Sequence, residues 1–381
     1  MIFNIKYTFL CVFLICLSFI SNAQSQYAKK LVDTLSAPTF WGRGYAKNGM
    51  DKAARFISNE MKQIGLQPLS ESYLQNFNVA TNIFEKKLSL KIDGKKLKPG
   101  KDYIIKANSP SLKGKFKLIQ NEADNFSDVN NQLIIKKTNK LVWSPSGTLD
   151  STVFIYLKDT TQNQLGKAVI NISQEFNPSF TANNVCGYVP GTLHPDSFLV
   201  LTAHFDHLGG LGKDVYFPGA NDNASGTALL LDIAKYYAKH PQKYSLVFIA
   251  FAAEEIGLKG SNYFVQNPLI NLNKIKFLLN LDLMGNGEDG ITIVNAAAHK
   301  DQYNQLVEWN NTKGRFKEIK FRENAPNSDH YPFTQVNVPA FFIYTLGGNQ
   351  AYHDIYDIPA TLPLNYFSDL EAMIKDFFQS F

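Results

Sequence analysis

Four stretches of this chain are apolar without alternation: Phe198–Ala203 (FLVLTA), Ser245–Phe251 (SLVFIAF), Lys276–Asp282 (KFLLNLD) and Val338–Tyr344 (VPAFFIY). A strand with one wet face alternates apolar and polar residues. A strand covered on both faces does not, so these runs predict buried strands of a mainly parallel sheet. Met50, Ala53, Ala54, Ile57, Met61 and Ile64 recur at helical spacing over Asn48–Ile64, and Gly65 follows as a stop. The same period runs through Ala224–Ala238 and through Leu364–Phe378, where Phe367, Leu370, Ile374 and Phe377 share a face. From about residue 183 onward strands alternate with helices, the signature of an α/β arrangement.

Between about 84 and 172 the pattern differs. Short β-like runs (Leu88–Ile92, Tyr103–Ala107, Lys115–Ile119, Gln132–Ile135, Thr152–Tyr156, Ala168–Ile172) are broken by Gly, Asn, Asp and Pro. This predicts a small β-rich module, with no catalytic cluster of its own, inserted before the main sheet resumes. The expected fold is an α/β three-layer sandwich with a mainly parallel central sheet plus that module. Its parts are a helical N-terminal portion over 24–83, the β-rich insert over 84–182 and the core over 183–381.

Polar residues with chemical potential fall at the carboxyl ends of the apolar runs, where open parallel sheets bind ligands. His204 follows the first run, Glu254 and Glu255 the second, Asp282 closes the third, and His353 comes soon after the fourth. Asp222 lies in PGANDNASG, ahead of a helix, where Asp and Asn serve as N-caps in any case. A carboxylate there can also bridge two cations. The adjacent acids Glu254 and Glu255 are costly near a buried edge unless cations compensate them; one can ligate while its neighbour moves a proton. Asp206, two positions after His204, could serve the second ring N–H of a ligating imidazole, by itself or by supporting the loop. His204, Asp222, Glu255, Asp282 and His353 together match the donor set of paired zinc-type ions with one bridging carboxylate. The imidazoles argue against Mg²⁺ or Ca²⁺. Paired ions suit hydrolysis, in which a bridging water is acidified and a carbonyl polarised. The chain has no H-E-x-x-H, G-x-S-x-G or P-loop motif, and the contiguous Ser328-Asp329-His330 is a poor geometry for a catalytic relay.

Composition changes this picture little. The chain has 381 residues, 45% hydrophobic and 19% charged, with a formal charge of +5 and no dense Lys/Arg tract. Nucleic-acid and membrane-surface binding are therefore not expected. The opening residues matter more. Lys6, the apolar stretch Thr8–Ile20 and Ser21-Asn22-Ala23 read as a cleaved signal peptide over 1–23. An apolar stretch of roughly 13 residues falls short of the ~20 a membrane span needs. The expectation is an exported protein, periplasmic or secreted, with no stable membrane insertion after cleavage. Cys186 would be its remaining cysteine, which leaves no intrachain disulfide.

The segments LTAHFDHLG, PGANDNASGTALLLDIA, FAAEEIGLKGS, NLDLMG, SDHYPF and YHDIYD, in this order, resemble the M28 family of zinc aminopeptidases. FWGRGYAKNGMDKAARFISNEMKQIGLQP resembles the leading helical segment of exported bacterial members. The resemblance implies a zinc-exopeptidase-like fold that acts on peptide substrates with two Zn²⁺ per chain. His204, Asp222 and Asp282 would hold one ion; Asp222, Glu255 and His353 the other. Asp222 would be the bridge, Glu254 the general base and Asp206 the group that orients His204. The peptide bond Asp222–Asn223 would be cis. Asp329, in SDHYPF, would edge the substrate pocket, while no oxyanion-stabilising residue is assigned. SDHYPF also resembles a segment of the glutaminyl cyclases, single-zinc acyltransferases of the same fold. A catalytically silent peptide-binding protein, a carboxypeptidase and a dipeptidase stand as further alternatives.

Overall fold

The structure, a computed structural model, describes residues 26–159 and 164–381. The expected signal segment, 1–23, lies outside the described residues. Among these the largest sheet has nine strands. Eight run in the order Gln67–Pro68, Glu175–Val189, Tyr244–Phe251, His194–His204, Ile275–Leu281, Ala340–Leu346, Gly290–Val294 and Ile319–Arg322, and Leu74–Ile83 pairs with Glu175–Val189. The four non-alternating runs are four neighbouring strands of this sheet, each parallel to the next. Antiparallel pairs flank them, and one further parallel pair closes the far edge. Because the four central strands point the same way, their carboxyl ends meet at one sheet edge.

Alternate residues of each central strand enter different cores, which explains the missing alternation. Leu199, Leu201, Ala203, Leu246 and Phe248 pack with Ile57 of the helix Gly49–Ile64, Leu230 of Gly226–Tyr237 and Ile374 of Phe367–Gln379. Val200, Val247, Ile249 and Phe251 pack on the other side with Phe264 of Lys259–Gln266 and Phe333 of His330–Thr334. Each fully buried Leu, Val, Ile or Phe among them contributes about 1.5–3 kcal/mol. The result is the three-layer α/β sandwich expected. No helix among the described residues is long and apolar enough to cross a membrane.

The helix Gly49–Ile64 ends where Gly65 turns to a left-handed conformation (φ 95°) and donates its N–H back to Lys62 O. The next predicted helix, over Ala224–Ala238, forms as expected. Its regular hydrogen-bonded part is Gly226–Tyr237, but Ala224 and Ser225 already keep helical geometry, and the Asn223 side chain accepts the Gly226 N–H (2.9 Å) as the cap of a helix that starts at Ala224. The preceding Ala220–Ser225 is a wide turn in which Asp222 and Asn223 leave helical geometry and their peptide bond is cis.

Residues 89–172 build two smaller sheets. Four strands run in the order Lys95–Leu97, Ser89–Ile92, Lys167–Ile172 and Leu112–Lys117; five run in the order Tyr103–Ile105, Val153–Lys158, Leu133–Thr138, Asn125–Ser127 and Ile119–Glu122. They share a separate core that also takes in Leu208, Leu211 and Phe217 of the main body. The strand Glu175–Val189 runs across residue 183. Its first half forms an outlying ribbon with Leu74–Ile83 before Val185–Val189 joins Tyr244–Phe251.

Candidate metal centre

Strand direction brings the expected ligands together. His204 is the last residue of its strand, Asp282 directly follows Ile275–Leu281, and Glu254 and Glu255 lie just beyond Tyr244–Phe251. His353 arrives on the loop after Ala340–Leu346 with a left-handed backbone (φ 52°). Asp222 sits between the two imidazoles. Its Oδ1 is 3.5 Å from His204 Nε2 and its Oδ2 3.1 Å from His353 Nε2. His204 Nε2 is also 3.3 Å from Asp282 Oδ1, and His353 Nε2 is 3.2 Å from Glu255 Oε2. Tetrahedral zinc with bonds of about 2.0–2.1 Å puts neighbouring donor atoms about 3.3–3.4 Å apart. Donors at these separations, two nitrogens and several carboxylate oxygens, fit a pair of such ions. His204, Glu254 and Asp282 form a second compact trio that overlaps the trio of His204, Asp222 and Glu255.

Several neighbours hold the donors in place. Asp222 and Asn221 donate their backbone N–H groups to the Asp357 carboxylate at 2.9 Å each. Asn223 donates to Leu281 O (2.9 Å), tying the Asp222 turn to the strand that ends in Asp282. Ser328 Oγ donates to Asp282 Oδ2 (2.9 Å) and accepts from Asn280 Nδ2 (2.8 Å), whose Oδ1 accepts from Thr202 Oγ1 (2.7 Å). His207 Nδ1 lies 2.7 Å from Glu255 Oε1 and fixes that carboxylate from behind. Beneath them all is Arg43, which has no accessible surface and whose guanidinium donates only to backbone carbonyls, among them Phe205, Pro218 and Gly219. Asp357, His207 and Arg43 are assigned no role by the sequence reading, although each lies within a segment that carries the family resemblance (YHDIYD, LTAHFDHLG and FWGRGYAKNG); each acts on residues distant in the chain.

Of the two ways Asp206 could serve His204, the structure favours support of the loop: its carboxylate oxygen is 3.8 Å from His204 Nδ1, and its backbone carbonyl makes the closer approach at 3.2 Å. The carboxyl instead accepts the backbone N–H groups of Glu254 (3.1 Å) and Glu255 (3.4 Å), which satisfies its buried oxygens better than one distant imidazole. Asp329 was expected to edge the substrate pocket. It is fully buried, because it leads into the short helix His330–Thr334 that packs under the sheet edge, and its neighbours Pro326 and Asn327 line the cavity. Burial pushes its carboxyl up to about 7, with His204 and the Ser261 hydroxyl opposing.

The electrostatics are those of acids packed against imidazoles. Burial, reinforced by Asp329, Glu255 and Asp282 and opposed by His204, holds the Glu254 carboxyl well above its usual range. Burial works the same way on Glu255 but loses to His353 and His207, which keep it well below. The same contest raises His353 to about 11: burial opposes, and Glu255 and Asp222 win. A cavity of about 460 Å³ opens over the donors, with Arg322, Phe342, Tyr344 and Tyr352 on its other walls. Tyr352 stacks on the His353 ring (4.0 Å between centroids, 17°) and, 45% exposed, lines the cavity, where its protonated phenol is available as a donor.

Residues 184–377 match the sequence profile of Peptidase family M28. A probable zinc metalloprotease of Pyrenophora teres f. teres is 36% identical over 107 residues, 28% of this chain and 22% of that protein. The aminopeptidase YwaD of Bacillus subtilis is 31% identical over 150 residues, 38% of this chain and 31% of that protein. The match thus spans less than a third of the length of these curated relatives. Among solved structures, the zinc aminopeptidase BSAP from B. subtilis superposes with a TM-score of 0.71 at 17% identity over 93% of this chain and 95% of that one. An aminopeptidase from Aneurinibacillus sp. strain AM-1 gives 0.65 at 19% identity, covering 93% of each chain. At such identities the likeness establishes the fold.

Proposed function

The chain belongs to peptidase family M28, and on that premise we propose that it is an exported two-zinc aminopeptidase that removes N-terminal residues from peptides. The observation that carries this reading is Asp222, with one carboxylate oxygen facing each imidazole. His204, Asp222 and Asp282 would hold one ion, and Asp222, Glu255 and His353 the other. Bound there, the ions would supply an acidified water and polarise the scissile carbonyl. Glu254, raised by burial and like charge, is suited to take the proton from the attacking water and hand it to the departing amine. Its backbone is set by Asp206. The acids of the cavity suit the positively charged amino terminus of a peptide. The Tyr352 hydroxyl, beside His353, is the donor we assign to the developing oxyanion.

The purified mature protein is expected to release N-terminal residues from unblocked peptides, to ignore N-acetylated ones, and to lose activity to a chelator and regain it with zinc. Equal cleavage of acetylated peptides, or turnover indifferent to chelation, would overturn the proposal. Conversion of N-terminal glutamine to pyroglutamate without hydrolysis would point to acyl transfer instead.

One observation favours a narrower reading, a preference for short peptides. Arg322, on the edge strand Ile319–Arg322, lines the cavity and donates to the Tyr344 hydroxyl (3.2 Å). A guanidinium lining the same cavity as the metal donors would pair with a free carboxylate. Leu-Gly is then expected to be a better substrate than Leu-Gly-amide, and Arg322→Met to remove the difference by cutting kcat/KM for Leu-Gly about tenfold or more, equivalent to ~1.4 kcal/mol. Equal kcat/KM for the two peptides in the parent protein would refute it.

A further inference from the structure

The β-rich module contributes no candidate ligand, yet one of its segments touches two of the loops that carry them. The Trp143 backbone N–H donates to His353 O (3.0 Å), and Ser144 Oγ lies 3.1 Å from His353 Nδ1. The Trp143 indole stacks on Phe217 (5.3 Å between centroids, 8°), directly ahead of the Pro218–Asp222 loop. Its Nε1 donates to Ile105 O (2.7 Å), which anchors the ring to the module's five-stranded sheet. Nearby, Lys140 Nζ donates to Gln350 O (3.1 Å) on the His353 loop.

We propose that Trp143 and Ser144 are positioning residues for His353, so that the inserted module completes the second ion's site. The loop between Leu346 and Pro359 has no regular secondary structure and carries His353 in a left-handed conformation. Such a backbone persists only where its surroundings hold it. Tyr352 covers one face of the ring, His207 meets it edge-on (5.9 Å), and Asp222 and Glu255 face Nε2. A histidine that offers Nε2 to a cation must carry its proton on Nδ1 and needs an acceptor there. The Ser144 hydroxyl occupies that position. Trp143 sets its placement, bonded to the His353 backbone on one side and stacked against the base of the Asp222 loop on the other.

This inference rests on the two-metal reading, and zinc titration against a chromophoric chelator separates the two. The full-length mature protein is expected to bind two ions. Ser144→Ala should weaken one of them about 10–100-fold and leave the other unchanged, with the melting temperature in excess EDTA equal to that of the parent. Ser144→Thr, which keeps the hydroxyl, should restore the second ion. Two parent-like affinities in Ser144→Ala would overturn the inference while leaving the two-metal reading intact. So would equal weakening of both sites together with a lower metal-free melting temperature, since that marks a merely structural role. A parent protein that binds fewer than two ions would sink the two-metal reading and this inference with it.

Discussion

Replacing Glu254 by Gln is expected to lower kcat by about 10²–10⁴-fold while both metals remain bound. The amide matches the carboxyl in size and leaves the backbone bond to Asp206 undisturbed, so the change removes the ability to carry a proton and little else. The measurement also separates two roles that the geometry allows. Glu254 stands in a compact trio with His204 and Asp282, close enough to ligate. If it is a ligand, Glu254→Gln should lose an ion along with activity, and zinc titration would read two sites falling to one. If it is the base, stoichiometry stays at two and turnover collapses. Unchanged turnover would exclude both.

Arg43→Met is expected to cost most of the stability of the fold and to prevent metal loading. The guanidinium donates to the carbonyls of Phe205 (2.7 Å), Leu35 (3.0 Å), Pro218 (2.8 Å), Gly219 (2.7 Å) and Asp222 (3.2 Å). Each buried carbonyl left without a donor costs about 1–3 kcal/mol. Removal of all five bonds therefore approaches a total stability of about 5–15 kcal/mol. The surrounding backbone leaves no room for repacking. Gly42 has φ 63°, and a Cβ there would collide with Gly209 O and Phe217 O. Burial pulls the Arg43 pKa down to about 10, with Asp222, Asp357 and Asp206 opposing, so the side chain stays cationic under the acidic cluster. Lysine keeps the charge without the planar fork and should recover only part of the loss. The check is thermal unfolding with and without zinc: a fall of roughly 10 °C or more is expected for Arg43→Met. A melting temperature and zinc stoichiometry equal to those of the parent would show that the five bonds are dispensable.

Much of this architecture was legible in the order of residues. The four apolar runs could be read as doubly covered strands because burial on both faces leaves a local mark, the loss of alternation. Side chains at their carboxyl ends could be grouped because parallel strands share an edge. His204, Glu254, Glu255 and Asp282 follow from that rule alone. His353 and Asp222 needed the further observation that loops beyond the strands fold back over the same edge. That Asp329 lies beneath the cavity lined by Pro326 and Asn327 was not legible for a related reason: no periodicity reports which way a short turn faces.

Sequence by itself determined the layers, the central strands and the residue types able to ligate, since each is written within a window of a few turns or strands. Only the tertiary structure decided what supports them. Arg43 under Phe205 and Gly219, Asp357 behind Asp222, His207 behind Glu255 and Ser144 behind His353 pair residues between 48 and 209 positions apart. Such contacts leave no period in the chain, because a hydrogen bond depends on where two loops end up in space, whereas hydrophobic burial repeats with the geometry of the element that carries it.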